Sequence, residues 1–120
     1  MVDFTGWYMP VSYKGIIEEH HNVRNNVGVF DLGHMGQLDI TGPDADEFTN
    51  YVTSNDVRKL SPGEAQYSMF LYSNGGVVDD IIVYRKLDGN GFFIVLNAAN
   101  TQKDVEWVTA QREKRNDLDV

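Results

Sequence analysis

The chain has 120 residues, 42% of them hydrophobic, which is enough for one domain with a core of its own. Ten Lys and Arg against eighteen Asp and Glu leave a formal charge of -8, which argues against nucleic acid or anionic membrane surfaces as general partners. There is no cysteine, hence no disulfide framework, thiolate nucleophile or zinc–thiolate centre. No apolar run approaches the roughly 20 residues of a membrane-spanning helix, so a soluble protein is expected.

In chain order, Ile16, Ile17, His20, Val23 and Val27 recur at helical spacing, with Glu18 and Glu19 early and Gly28 as a stop, which predicts the first helix. Alternation predicts a strand over 35–40. Gly42-Pro43-Asp44 then opens a helix whose expected inner face is Ala45, Phe48, Tyr51 and Val52. Three strands follow at 66–72, 77–87 and 92–97, joined by "SNGG" and "DGNG", whose Asn and Gly accept the positive φ of hairpin turns. The stretch "NTQKDVEW" starts a last helix, with Asn100 or Thr101 as cap and Asp104 completing an approximate capping box. This order, with its tight hairpins, predicts an α+β fold: an antiparallel sheet containing a three-strand meander, with helices packed on it, in a single domain over 1–120. Both ends, "MVDFTGWYMP" and "NDLDV", read as cuts through a longer protein.

The stretch "GGVVDDIIVYR", 75–85, places two adjacent carboxylates at the mouth of a run of branched apolar side chains. Alternation sends Asp79 to one face with Val77, Ile81 and Val83, and Asp80 to the other with Val78, Ile82 and Tyr84. Both faces are apolar, so the strand is expected to be central and covered on each side. With Asn74-Gly75 as the centre of the first turn, Met69 falls opposite Asp80 and Tyr67 opposite Ile82. With Gly89-Asn90 as the centre of the second, Asn97 falls opposite Ile82, so that Tyr67 and Asn97 both lie diagonal to Asp80, about 7 Å away at the backbone. One face then collects a carboxylate, a phenol, an amide and the Tyr84 ring, which suits a flat, hydrogen-bond-rich heterocycle. Phe70, Val77, Ile81, Val83, Ile94 and Leu96 are expected to form plain core on the other face, and Asp79 is read as a turn-flanking residue in solvent.

Several stretches, "VDFTGWYMP", "VFDLGHMG", "AQYSMF", "GGVVDDIIVYR" and "VLNAAN" followed by "KDVEW", come in the order seen at the N-terminus of the glycine cleavage T-proteins, and the chain resembles that family over nearly its whole length. The resemblance implies a folate-binding domain of an aminomethyltransferase. Such enzymes take the aminomethyl group from the lipoyl arm of the H-protein, pass its methylene to the cosubstrate tetrahydrofolate and release ammonia. It implies Asp80 as the catalytic acid, Tyr67 and Asn97 as folate contacts, and Met35, Ile82 and Tyr84 as lining of the pteridine pocket. It further implies the lipoylated H-protein and folate as partners and a bacterial cytoplasm or a mitochondrial matrix, while charge and hydropathy predict no nucleic acid or membrane partner. The family reads S-H-M-G where this chain has Gly33-His34-Met35-Gly36, so a hydroxyl at that turn is missing. A folate-binding module without turnover, including relatives of dimethylglycine and sarcosine oxidising enzymes or of tRNA-modification folate proteins, is the alternative. His20, His21 and His34 lack the spacing of a metal site and are read as structural.

Overall fold

Residues that accept positive φ decide where the chain turns. Thr5 and Gly6, at φ 52° and 88°, close a hairpin between β1 (Val2–Phe4) and β2 (Trp7–Met9), and Asp3 Oδ1 accepts the Gly6 N–H at 2.8 Å. The structure is a computed structural model describing residues 1–120, and the chain forms two compact units, Met1–His34 and Met35–Val120. Besides its hairpin, the first unit holds α1 (Ile16–Asn25). The Glu19 carboxylate accepts the backbone N–H groups of Tyr13, Lys14 and Gly15 at 2.7, 2.5 and 3.1 Å, and these bonds hold its carboxyl below the ordinary range. The apolar spacing thus marks a helix, yet α1 contributes no buried residue.

The second unit is built on β3 (Gly36–Ile40), β4 (Ala65–Leu71), β5 (Val77–Arg85) and β6 (Phe92–Leu96), with α2 (Ala45–Val52) and α3 (Thr101–Lys114). The strands pair in the order β3-β6-β5-β4, all antiparallel, which contains the β4-β5-β6 meander and defines the α+β class. Side chains alternate cleanly, so Phe70, Ile81, Val83, Ile94 and Leu96 are buried on one face together with Phe48 and Val52 of α2 and Val108 of α3. Phe70 stacks on Trp107 of α3 with ring centroids 5.2 Å apart, which ties that helix to the sheet. At the start of β6 only glycine fits, because Gly91 sits at φ 97° and a Cβ there would run into the Ile40 carbonyl.

Two expectations about the core need correction. The inner face of α2 is Ala45, Phe48, Thr49 and Val52, the true i, i+3, i+4, i+7 set, while Tyr51 is half exposed beneath the Arg115 guanidinium, 5.2 Å from its ring. Val77 is exposed and Val78 is buried in its place, because a bulge in β5 pairs Phe70 with Asp79 but Leu71 with Val77.

The same bulge explains why the first hairpin has the expected register in its body. The loop has three residues, 73–75, where a turn centred on Asn74-Gly75 would have two, since Tyr72 N–H bonds the Gly76 carbonyl at 2.8 Å with Gly75 at φ 85°. The extra residue in β5 restores the pairing, and Met69 faces Asp80 and Tyr67 faces Ile82. The second hairpin has no such compensation. Its loop closes with Lys86 N–H on the Gly91 carbonyl, so Ile82 pairs with Val95 and Tyr84 with Phe93, two residues away from the expected register.

Candidate functional site

A slip of two residues preserves which face a side chain occupies but moves it along the strand. Asn97 therefore stays on the face of Asp80, and continuing the observed pairing carries it from beside Ile82 to a position across from Asp80. Continuing the β3–β6 pairing likewise sets Met35 across from Asn97. Tyr67, Asp80, Ile82 and Tyr84 are on this face as well, so all six residues singled out from the sequence share it. The row of three expected across the sheet is replaced by two rows, Tyr67–Ile82–Val95 and Met69–Asp80–Asn97.

Tyr67 Oη donates to Asp80 Oδ2 at 3.0 Å, the diagonal contact expected from the strand pairing. That bond first, then desolvation and the charges of Asp80 and Asp79, raise the phenol above its ordinary value, so Tyr67 is the donor at neutral pH. Asn97 Nδ2 donates to the Asp80 carbonyl at 3.0 Å and to Asp80 Oδ1 at 3.2 Å. Each oxygen of Asp80 thus has one donor, and a carboxylate has capacity for about four, so acceptor sites are left for a ligand N–H. Around it stand Ile82 at 39% exposure, Tyr84 at 37% and Tyr67 at 60%, with Phe93 tilted against Tyr84 at 6.2 Å. This face is open rather than covered, which corrects the expectation of a strand buried on both sides.

Asp79 is not the solvent-facing member of the pair. It is 6% exposed and points into the core face, while Asp80 is exposed. The chain leaves β6 through a short 3-10 turn, Ala98–Asn100, into α3, and this brings three further polar side chains beneath Asp79. Asn100 Nδ2 donates to Asp79 Oδ1 at 2.8 Å, and Asn97 Nδ2 reaches both Asp79 oxygens at 3.2 Å. Asn100 stands at the N-cap of α3 but makes no capping bond, because its side chain is turned to donate to Asp79 and its oxygen accepts from none of the first backbone N–H groups of the helix. Asp104 is fully buried beside Asp79 and forms no capping box. Lys103 Nζ donates to the Val78 carbonyl at 2.5 Å and lies 3.8 Å from Asp104 Oδ1.

Burial pushes the Asp79 carboxyl up, but hydrogen bonds from Asp104, Asn97 and Asn100, with the Lys103 charge, outweigh it and hold Asp79 below the ordinary carboxylate range. Asp104 is pushed up to about 7, first by burial and then by its hydrogen bond to Asp79 and the Asp79 charge, against a smaller pull from Lys103. Sequence reasoning missed Asp104, although a signal was present: it stands one helical turn before Val108, on the stripe that faces the core. No group of three or more His, Cys, Asp or Glu side chains is arranged to hold a metal.

The fold and this face define an α+β domain whose polar chemistry is concentrated at the end of two central strands. The chain belongs to the family of the GCVT N-terminal domain, whose model matches residues 1–120. It is 53% identical over 109 residues to an aminomethyltransferase of Bdellovibrio bacteriovorus, covering 91% of this chain and 30% of that protein. It is 51% identical over its full 120 residues to an aminomethyltransferase of Francisella philomiragia, of which it covers 32%. Among solved structures, the glycine cleavage system aminomethyltransferase T from Bartonella henselae superposes with a TM-score of 0.82 at 35% identity, over 91% of this chain and 30% of that one. The chain thus spans about a third of the length of the relatives it matches. No helix is long and apolar enough to cross a membrane.

Proposed function

We propose that this chain is the N-terminal, folate-binding part of an aminomethyltransferase of the glycine cleavage system, with Asp80 as its catalytic residue. The observation that carries the reading is the anchored carboxylate. Asp80 is exposed on an open sheet face, held by Tyr67 Oη at 3.0 Å and by Asn97 Nδ2 at 3.0 and 3.2 Å, beside the apolar surface of Ile82 and Tyr84. A flat heterocycle bearing N–H donors fits such a floor, because the acceptors lie at its rim and the rings beneath it. Tetrahydrofolate supplies the nucleophilic nitrogen that accepts the methylene from the lipoyl arm of the H-protein. Asp80 accepts that nitrogen's N–H, orients its lone pair and takes the proton as the new bond to carbon forms, while the bond from that carbon to the amino group breaks and ammonia leaves. A fixed carboxylate also stabilises positive charge developing at the methylene. Asn97 has its NH2 committed to the two aspartates, so it offers the ligand its carbonyl, and Met35, Ile82 and Tyr84 line the ring. The relatives reported above are bacterial, which supports a cytoplasmic reaction.

The test is a tetrahydrofolate titration of the protein and its Asp80→Asn variant, followed by ammonia release with aminomethylated H-protein. The reading requires binding by both and ammonia from the unmodified protein alone. Folate binding without ammonia from either identifies the non-catalytic module instead, and absence of folate binding overturns the reading.

A further inference from the structure

The proposed chemistry uses Asp80 and leaves the buried pair behind it unexplained. Two carboxyl groups in contact inside a core cannot both be ionised at modest cost, and here the surroundings distinguish them. Asp79 receives Asn100 Nδ2 at 2.8 Å and Asn97 Nδ2 at 3.2 Å on both oxygens. Asp104 is 0% exposed, and neither of its oxygens has a hydrogen-bond donor. Lys103 Nζ, at 3.8 Å, is too far to serve as one and is already bonded to the Val78 carbonyl. An ionised Asp104 would therefore be a dry, orphaned charge, whereas a protonated one is itself the donor to Asp79.

We propose that Asp79 and Asp104 hold one proton between them, carried on Asp104 and donated to Asp79, and that this pair fixes the Asn97 amide with its NH2 toward the acids and its carbonyl toward the open face. The two are positioning residues, acting on Asp80 through Asn97. One NH2 serves Asp79 Oδ1 and Oδ2 below and the Asp80 carbonyl and Oδ1 above. With acceptors on every side, a turned amide would set its oxygen against carboxylates, so the ionised state of Asp79 decides which end of Asn97 a ligand meets. The charged and titratable groups around the pair are Lys103 from α3, Asp80 from β5 and, through Asp80, Tyr67 from β4. When the proton is lost to solvent the dry pocket gains a second negative charge, compensated in part by Lys103, and repulsion between the two carboxylates displaces Asp79 from its seat against Asn97.

The proton is independent of what the site binds, whereas its effect on affinity rests on the folate reading, and the experiment separates the two. Aspartate carboxyl carbons of the intact protein are followed by 13C NMR from pH 5 to 9, with Asp104→Asn assigning the signal. One buried carboxyl titrating near neutrality beside one that stays ionised is the expected result, and two ionised carboxyls throughout would overturn the pair. Tetrahydrofolate affinity is then measured over the same range. The protein loses at least threefold in affinity above neutrality, while Asp104→Asn, whose amide always donates to Asp79, stays within about twofold and is flat with pH. Asp79→Asn sets its own NH2 against those of Asn97 and Asn100 and loses at least tenfold without touching the ligand. An Asp104→Asn variant with an unchanged pH profile, or one weakened as much as Asp79→Asn, would overturn the positioning role. A titrating carboxyl in a protein that binds no folate at any pH leaves the pair standing and removes the folate reading.

Discussion

Asp79 and Asp80 are chain neighbours that alternation sends to opposite faces of one sheet, and the two faces use a carboxylate in opposite ways. On the helix-covered face Asp79 is 6% exposed and saturated by amides and a protonated partner, among side chains as fully buried as Phe70 and Val83. On the open face Asp80 is exposed, with one donor on each oxygen and room for more. Packing is therefore what makes the first face stable, while the second keeps hydrogen-bond acceptors exposed. Substitutions on the first should register in stability, and those on the second in binding and turnover.

The largest break in that division is Phe70→Ala. It removes a fully buried ring stacked 5.2 Å from Trp107, and cavities of this kind cost about 3–5 kcal/mol, so unfolding in denaturant should show a loss of free energy of that size. A loss under about 1 kcal/mol would mean that α3 is not held to the sheet by this contact. Next is Asp80→Asn. Turnover should fall by about 10²- to 10⁴-fold with the thermal midpoint unchanged, since general-base contributions have that size and exposed sites away from core packing shift stability by roughly 0.5 kcal/mol or less. A large drop in thermal midpoint would place Asp80 with the core residues instead.

How much of this was legible follows from what alternation can and cannot say. Period two separates Asp79 from Asp80 without ambiguity, and "SNGG" locates the first hairpin, so Tyr67 and Asp80 come together as expected. Alternation is symmetric, however, and does not say which face the helices cover. That is decided by Phe48, Val52 and Val108, whose packing against Phe70, Ile81 and Ile94 buries Asp79 and leaves Asp80 open. The "DGNG" loop differs from the expected register by two residues, because Asn and Gly fit several turn lengths and the fit of Gly91 against the Ile40 carbonyl selects one. Asp104 and Asn100 look like helix-capping residues in a sequence, and their use by Asp79 is a tertiary event that no local pattern encodes.

The buried face also carries the pH dependence. The Asp104 carboxyl is raised to about 7, so its contribution is fully present below about pH 4, where it is protonated folded or unfolded, and is lost as pH rises through 7. Asp79 has the opposite sign: its lowered carboxyl stabilises the fold above about pH 4 and is lost in acid below that. Between pH 5 and 8 the Asp104 effect governs, and stability falls by a few kcal/mol at most. Asp104→Asn should flatten this fall and melt above the unmodified protein at pH 8. Melting curves that decline equally in both would show that the buried pair is not the source.

The smallest effect sharpens the comparison most finely, because it removes one oxygen atom from the open face. Tyr67→Phe deletes the bond from Tyr67 Oη to Asp80 Oδ2 at 3.0 Å and leaves the ring on a residue that is 60% exposed. Asp80 then keeps Asn97 on its other oxygen, so its carboxylate is freer to rotate but not orphaned, since water replaces the phenol. A single such bond is worth a factor of about 3–10 in binding, and tetrahydrofolate affinity should weaken by that much with the melting temperature unmoved. Loss of several degrees would reveal Tyr67 as part of the sheet's stability and would place this rim of the open face with the packed one. Unaltered affinity would assign the orientation of Asp80 to Asn97 alone, and so to the buried acids beneath it.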